Sequence, residues 1–208
     1  MSNPTHVVFD LGNVLITWDR ELLYRQLIED PEERRHFLDN VLTLEANAEL
    51  DRGMSLADLT ATLTNQHPEY AKLLDAFRTR WIETIGGAID GSVSILSELR
   101  TMGTPLFALS NWGAETFEQT VGQYGFLNWF DGRVISGFEG TVKPDARIFE
   151  ILLERFGLTA TSCLFIDDSQ KNVDAAARIG FDTIHFADPP SLRSELIERG
   201  LLPDPPSR

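Results

Sequence analysis

A single cysteine, Cys163, in 208 residues rules out an intramolecular disulfide and any metal site built from several thiolates. Lying between Ser162 and the apolar run Leu164 to Ile166, it reads as a buried strand residue. Long apolar runs are lacking too. None nears the ~20 residues a helix needs to cross a bilayer, so no membrane partner is expected. Met1 to Thr5 carry neither a basic cluster nor an apolar stretch ahead of Val7, and with no secretory signal in view the cytoplasm is the expected compartment.

Cations are scarce. Lys and Arg total 18 against 32 Asp and Glu, a formal net charge of -14. Such a surface repels polyanions at long range, which excludes nucleic acid as an expected partner and requires any small anionic substrate to be held by cations placed at the site itself. The four histidines, His6, His36, His67 and His185, never fall in the H-E-x-x-H spacing of a zinc hydrolase and read as packing or surface residues. No G-x-S-x-G elbow surrounds Ser110, and neither a G-x-x-x-x-G-K-[ST] phosphate loop nor a G-x-G-x-x-G dinucleotide fingerprint is found.

What the chain does contain is alternation. Apolar runs at His6–Phe9, Pro105–Leu109, Cys163–Ile166 and Thr183–Phe186 read as buried strands, each ending in polar residues. Between them Ile95, Leu99 and Met102, then Phe149, Leu152, Leu153 and Phe156, then Val173, Ala176 and Ala177 recur at helical spacing. Pro144 precedes the second of these helices and Gly157 follows it, while Gly103 and Gly180 close the others. Alternating β and α elements predict an α/β fold, a Rossmann-like doubly wound parallel sheet with ligands at the carboxyl ends of its strands.

Residues 18–87 break this pattern. They read as short amphipathic helices, with pairs such as Leu23 with Leu27 and Tyr24 with Ile28, and show no obvious strand. The expected organisation is a core of residues 1–17 and 88–208 carrying an inserted α-helical cap of residues 18–87. The tail from Pro203 to Arg208 is expected to fray.

Four polar clusters follow the strands: Asp10 to Asn13, Ser110-Asn111, Lys143-Pro144, and Asp167-Asp168 with Asn172 beyond. Singly, each is ordinary, since Ser-Asn is a common turn dipeptide and paired acids before a helix can simply cap it. In a doubly wound sheet the four would converge. Three carboxylates at one edge cannot all remain ionised without a cation, and a set of oxygen ligands suits Mg²⁺ rather than zinc.

The stretches VVFDLGNVL, FALSNW, GTVKPDARIF and LFIDDSQKNVDAAARIGF resemble, in order and spacing, the four motifs of the haloacid dehalogenase-like hydrolases, across nearly the whole chain. The DLGNV segment is most similar to that of bacterial sugar-phosphate phosphatases, among them those acting on glucose 1-phosphate, and of the phosphatase domain of soluble epoxide hydrolases. The resemblance implies a Mg²⁺-dependent phosphatase acting on a small phosphorylated metabolite such as a sugar phosphate. Asp10 would be the nucleophile, forming an aspartyl phosphate. Asp10, the Gly12 carbonyl and Asp168 would hold the metal, with Asp167 acting through a bound water. Ser110, Asn111 and Lys143 would grip the phosphoryl oxygens, joined in the substrate-binding set by Leu11 and Gly12.

One departure stands out. Most phosphatases of this superfamily have a second aspartate, a general acid, two residues after the nucleophile, where this chain has Gly12; Asn13 or Asp19 acting through water are candidate substitutes. Haloacid dehalogenases lack that aspartate as well and remain an alternative, although Asp167 and Asp168 suit a metal that a dehalogenase does not use. A catalytically impaired phosphate-binding or regulatory module is the alternative of another class. Trp18 and Trp112 follow site motifs and read first as core packing, second as contacts to a leaving group; Arg20, Arg25, Arg52 and Arg78 read as solvated faces. Oligomeric state, monomer or homodimer, is not legible here.

Overall fold

The computed structural model describes residues 4–204, so the part of the expected fraying tail beyond Asp204 lies outside the described residues. Seven strands are present among them: β1 (His6–Phe9), β2 (Ile16–Trp18), β3 (Ile85–Ala88), β4 (Leu106–Ser110), β5 (Gly132–Ile135), β6 (Cys163–Asp167) and β7 (Asp182–His185). Five form a parallel sheet in the order β5-β4-β1-β6-β7, placing β1 at its centre.

The central strands are apolar throughout because both faces of the sheet are covered. Val7 and Phe9 of β1, Leu106 and Ala108 of β4, and Leu164 and Ile166 of β6 face one core, together with Ile95, Leu99, Leu192 and Leu196 from the Asp90–Thr101 and Pro189–Glu198 helices. The intervening residues, Val8, Phe107, Leu109, Cys163 and Phe165, face the other core, with Ile148, Phe149, Leu152 and Ala176 from the Ala146–Phe156 and Gln170–Ile179 helices. This is the period-two alternation of a strand buried on both sides. Asp145 caps the Ala146–Phe156 helix through the Arg147 N–H at 3.0 Å, and Gly157 ends it at φ 64°, a left-handed C-terminal cap. Met102, placed in the apolar stripe by its spacing, lies one residue past its helix and is exposed, because the chain has already begun its turn into β4.

Between β2 and β3 run five helices, Glu21–Tyr24, Pro31–Asn40, Leu44–Asp51, Leu56–Gln66 and Ala71–Arg80. Their starts are chemically marked: the side chains of Asp30, Thr43 and Ser55 accept hydrogen bonds from Glu32, Ala46 and Asp58 N–H at 2.8, 3.0 and 3.0 Å. Tyr24, Phe37 and Tyr70 pack as an aromatic row, with successive ring centroids 4.8 and 5.3 Å apart. Strand structure nevertheless enters this stretch. Trp18 pairs with Ile85 and Thr17 with Gly87 in an antiparallel ribbon, so the two chain crossings into the helical segment run side by side. Two glycines and a length of four residues hid β3, and β5, with Gly132 and Arg133 in its four residues, lacks a continuous apolar run for the same reason.

Candidate active site

Parallel register delivers the site. Phe9 pairs with Ala108 on one side and Ile166 on the other, so Asp10, Ser110 and Asp167, one or two residues further along their strands, emerge at the same sheet edge. The Asp10 N–H is tied to the Ile166 carbonyl at 2.8 Å. Beyond it the chain folds into a tight loop: Leu15 and Ile16 N–H return to the Leu11 carbonyl, and Asn13 takes a left-handed φ of 54°, which asparagine tolerates. The Asn13 side chain accepts the Trp18 N–H at 3.1 Å, fastening the loop to β2.

Three donors meet at one oxygen. Asp10 Oδ1 accepts from Leu11 N–H at 2.7 Å and from Ser110 Oγ at 2.6 Å, and lies 3.0 Å from Lys143 Nζ. Lys143 is fully buried, and its ammonium also donates to the Leu109 carbonyl at 2.8 Å and to Asp167 Oδ2 at 2.7 Å, so all three of its hydrogens have acceptors. Asn111 holds the lysine's backbone at both ends, donating to the Lys143 carbonyl at 2.9 Å and accepting its N–H at 2.7 Å. Asp167 is bound in turn by Asn172 Nδ2, at 3.0 and 3.1 Å, and by Ser169 N–H at 2.8 Å.

Asp10, Asp167 and Asp168 each offer a carboxylate oxygen within 4.8 Å of the others. Burial pushes the Asp10 carboxyl above its ordinary range, the charges of Asp167 and Asp168 push the same way, and Lys143 and Ser110 oppose them. Asp168 is raised too, by burial and by Asp167, while Lys143 and, more weakly, His185, whose Nε2 lies 2.9 Å from the Asp168 carbonyl, pull it down. Burial works against the charge of Lys143, yet Asp10 and Asp167 hold its pKa above the usual lysine value. Three carboxylates against one ammonium leave two negative charges, the charge that one divalent cation neutralises, and hard oxygen donors fit Mg²⁺.

Above this cluster opens a cavity of about 510 Å³ lined from both sides. The strand ends contribute Asp10, Gly12, Asn111, Lys143 and Asp168, and the helical segment contributes Leu44, Asn47, Leu50, Asp51 and Trp81. Trp18 and Trp112 both line it, although Trp112 also packs edge-on against Phe117 and 6.2 Å from Trp81. Leu11, Ser110 and Asp167 are not on the cavity wall; they are buried in hydrogen-bond contact with Asp10 and Lys143. Asp19 does not line the cavity, and its side chain accepts the Glu21 N–H at 2.8 Å. Arg20, Arg25, Arg52 and Arg78 all point elsewhere: Arg20 donates to the Leu38 and Leu42 carbonyls, and the other three pair with Glu21, Glu49 and Asp75. Asn47, Asp51 and Trp81 carried no motif signal, because their place at the cavity is set by how the inserted helices fold back.

The sequence pattern that defines the haloacid dehalogenase-like hydrolases matches residues 4–180, spanning this cluster and four of the five strands of the parallel sheet. The chain belongs to that family. It is 28% identical over 185 residues to the sesquiterpene phosphatase astK of Aspergillus oryzae, covering 87% of this chain and 89% of that one. To the (S)-2-haloacid dehalogenase of Pseudomonas sp. strain YL it is 28% identical over 88 residues, 42% of this chain and 38% of the relative. A magnesium complex of a HAD family enzyme from Bacteroides thetaiotaomicron superposes with a TM-score of 0.71 at 19% identity, over 90% of this chain and 95% of the other, a likeness of fold. As a haloacid dehalogenase-like hydrolase the chain has relatives among both phosphatases and dehalogenases. Among the described residues no helix is long and apolar enough to cross a membrane.

Proposed function

We propose that the protein hydrolyses a phosphomonoester through a phosphoryl group carried on Asp10, with Mg²⁺ held by Asp10, the Gly12 carbonyl and Asp168. The single observation behind this choice is the convergence of three carboxylates within 4.8 Å of one another, two of them paired with one buried lysine. When bound, the cation supplies charge neutralisation that lets an anionic nucleophile meet an anionic phosphate. A dehalogenase would use the same Asp10 but expels halide without a metal, and the cluster would then repel its anionic substrate with Lys143 alone to offset three carboxylates. A pure phosphate-binding module would gain nothing from a buried carboxylate aimed at its ligand.

Ser110 and Lys143 both reach Asp10 Oδ1, which we assign to the attack on phosphorus, since the same two donors can then pass to the oxygens of the transferring group. Asn111 fixes the lysine for that task, and Leu11 N–H orients the carboxylate. Asp167 is a positioning residue, holding Lys143 against Asp10. Residues 18–87 act in this reading as a cap that shapes the leaving-group side of the cavity and excludes water from it.

The leaving group is better suited by an apolar body than by a sugar. Three indoles, Trp18, Trp81 and Trp112, with Leu44 and Leu50, line the cavity beyond the carboxylate cluster, with Asn47, Asp51 and Thr116 as the polar groups among them. The likeness to a sesquiterpene phosphatase points the same way. A phosphate-release screen over aryl, prenyl, alkyl and sugar phosphates, with and without Mg²⁺, tests reaction and class together. Turnover that needs Mg²⁺, vanishes in Asp10→Asn and favours apolar esters is expected. Chelator-insensitive halide release from a 2-haloacid, with no phosphate release from any ester, would reject the proposal.

A further inference from the structure

With glycine two residues after the nucleophile, the family's usual proton donor is missing, and neither candidate near it fills the gap: Asn13 does not titrate, and Asp19 accepts the Glu21 N–H and does not line the cavity. The space itself is open. A Cβ built on Gly12 meets no atom within 4 Å, so a carboxyl delivered from elsewhere has room there. Of the titratable residues that line the cavity, Asp10 and Asp168 belong to the carboxylate cluster, Lys143 is consumed by its three acceptors and Lys171 is an exposed residue at the rim. One remains.

We propose that Asp51, at the end of the Leu44–Asp51 helix of the inserted segment, is the general acid and base of the reaction. It would protonate the leaving oxygen as the bond from that oxygen to phosphorus breaks and the bond from Asp10 forms. The resulting Asp51 carboxylate would then take a proton from the water that attacks phosphorus, returning Asp10 as a free carboxylate and releasing phosphate. This rests on the phosphatase reading.

The fold holds Asp51 against the core through glycines. Gly113, two residues after Asn111, approaches the helix so closely that a Cβ there would stand 3.1 Å from Leu50 Cβ and 3.2 Å from its carbonyl. Gly53, at φ 100°, comes as near to the Gly137 carbonyl, where a Cβ would lie at 3.1 Å. Leu56 N–H reaches Glu115 across the same seam at 3.2 Å. Asp51 is thus flanked on both sides of its helix end by contacts that larger residues would break, and its own environment suits a proton donor. Burial pushes the carboxyl up to about 6, against the pull of Arg52 beside it, of Lys143 below it and of the Gly113 N–H. An acid in that range is available in both protonation states near neutrality.

The test is kcat/KM in Mg²⁺ for p-nitrophenyl phosphate, whose leaving group needs no proton, and for an alkyl phosphate, whose leaving group does. Asp51→Asn should lower the alkyl ester by about 10² to 10⁴ and the nitrophenyl ester by less than about tenfold. Wild-type kcat/KM on the alkyl ester should fall as pH rises through the titration of the acid, and the variant should lose that limb. Gly12→Asp placed in the Asp51→Asn background should restore the alkyl ester. Equal losses on both esters, or none, overturn the role of Asp51 while leaving the phosphatase reading intact. A wild-type enzyme that hydrolyses neither ester sinks both.

Discussion

Lys143→Met removes a charge from a fully buried point of the site while keeping an unbranched side chain one heavy atom shorter. In the wild type the ammonium offsets Asp10 and Asp167 with no solvent access of its own. Deleting one partner of a buried ion pair typically costs about 3–5 kcal/mol, because the remaining charge is left without compensation. For a chain of this size each kcal/mol moves the melting temperature by about 2–4 °C, so a fall of about 6–20 °C is expected at pH 8 in chelator. The loss should depend on pH. Burial already raises the Asp10 carboxyl, and Lys143 is what opposes it, so in the variant its folded pKa rises further above the unfolded value. An acid raised in this way is unpenalised below its unfolded pKa, and its cost grows as pH climbs towards the folded pKa. The gap between variant and wild type should therefore narrow between pH 8 and pH 5. Scanning fluorimetry or calorimetry at both values measures it. A shift under about 2 °C at pH 8, or one independent of pH, would refute the picture of a buried charge triad.

Mg²⁺ should raise the melting temperature of the wild type, by an amount equivalent to about 2.7 kcal/mol at a hundred times the dissociation constant, and Asp168→Asn, at an exposed position, should abolish that shift without unfolding the chain. Asp51→Asn should melt higher than wild type at pH 7.5, since a carboxyl raised to about 6 costs about 1–3 kcal/mol once ionised, and the difference should shrink as pH falls, vanishing only below the unfolded aspartate value of about 3.9, where the carboxyl is neutral in both states. Gly137→Ala should lose about 1–3 kcal/mol in urea denaturation, because its Cβ would stand 2.8 Å from the Trp112 carbonyl, whereas Gly12→Ala, with open space above it, should cost less than about 1 kcal/mol.

The parts of this architecture written in local pattern were legible before any coordinates. β1, β4 and β6 announce themselves because strands covered on both faces are apolar along their length, and their polar ends mark Asp10, Ser110 and Asp167. Lys143 stood out as a placed cation in an acidic chain, and its burial between two carboxylates gives that expectation a structure. What could not be read depends on distance in the chain. Asp51 lies 41 positions from Asp10 and meets the site only because Gly53, Gly113 and Gly137 permit a close seam, a relation no window of sequence contains. The sequence marks Asn111 as a phosphate contact, whereas the structure shows its side chain bracing Lys143, a long-range pairing of two loops that no local pattern contains. β3 was missed because two of its four residues are glycine.

Rapid mixing of enzyme, Mg²⁺ and an aryl phosphate, quenched in acid within the first turnover and digested for mass spectrometry, addresses the central claim most directly. A phosphoryl group on the peptide containing Asp10, absent in Asp10→Asn and absent when Mg²⁺ is chelated, is the predicted result. Phosphate released at full rate with Asp10 never modified would contradict it.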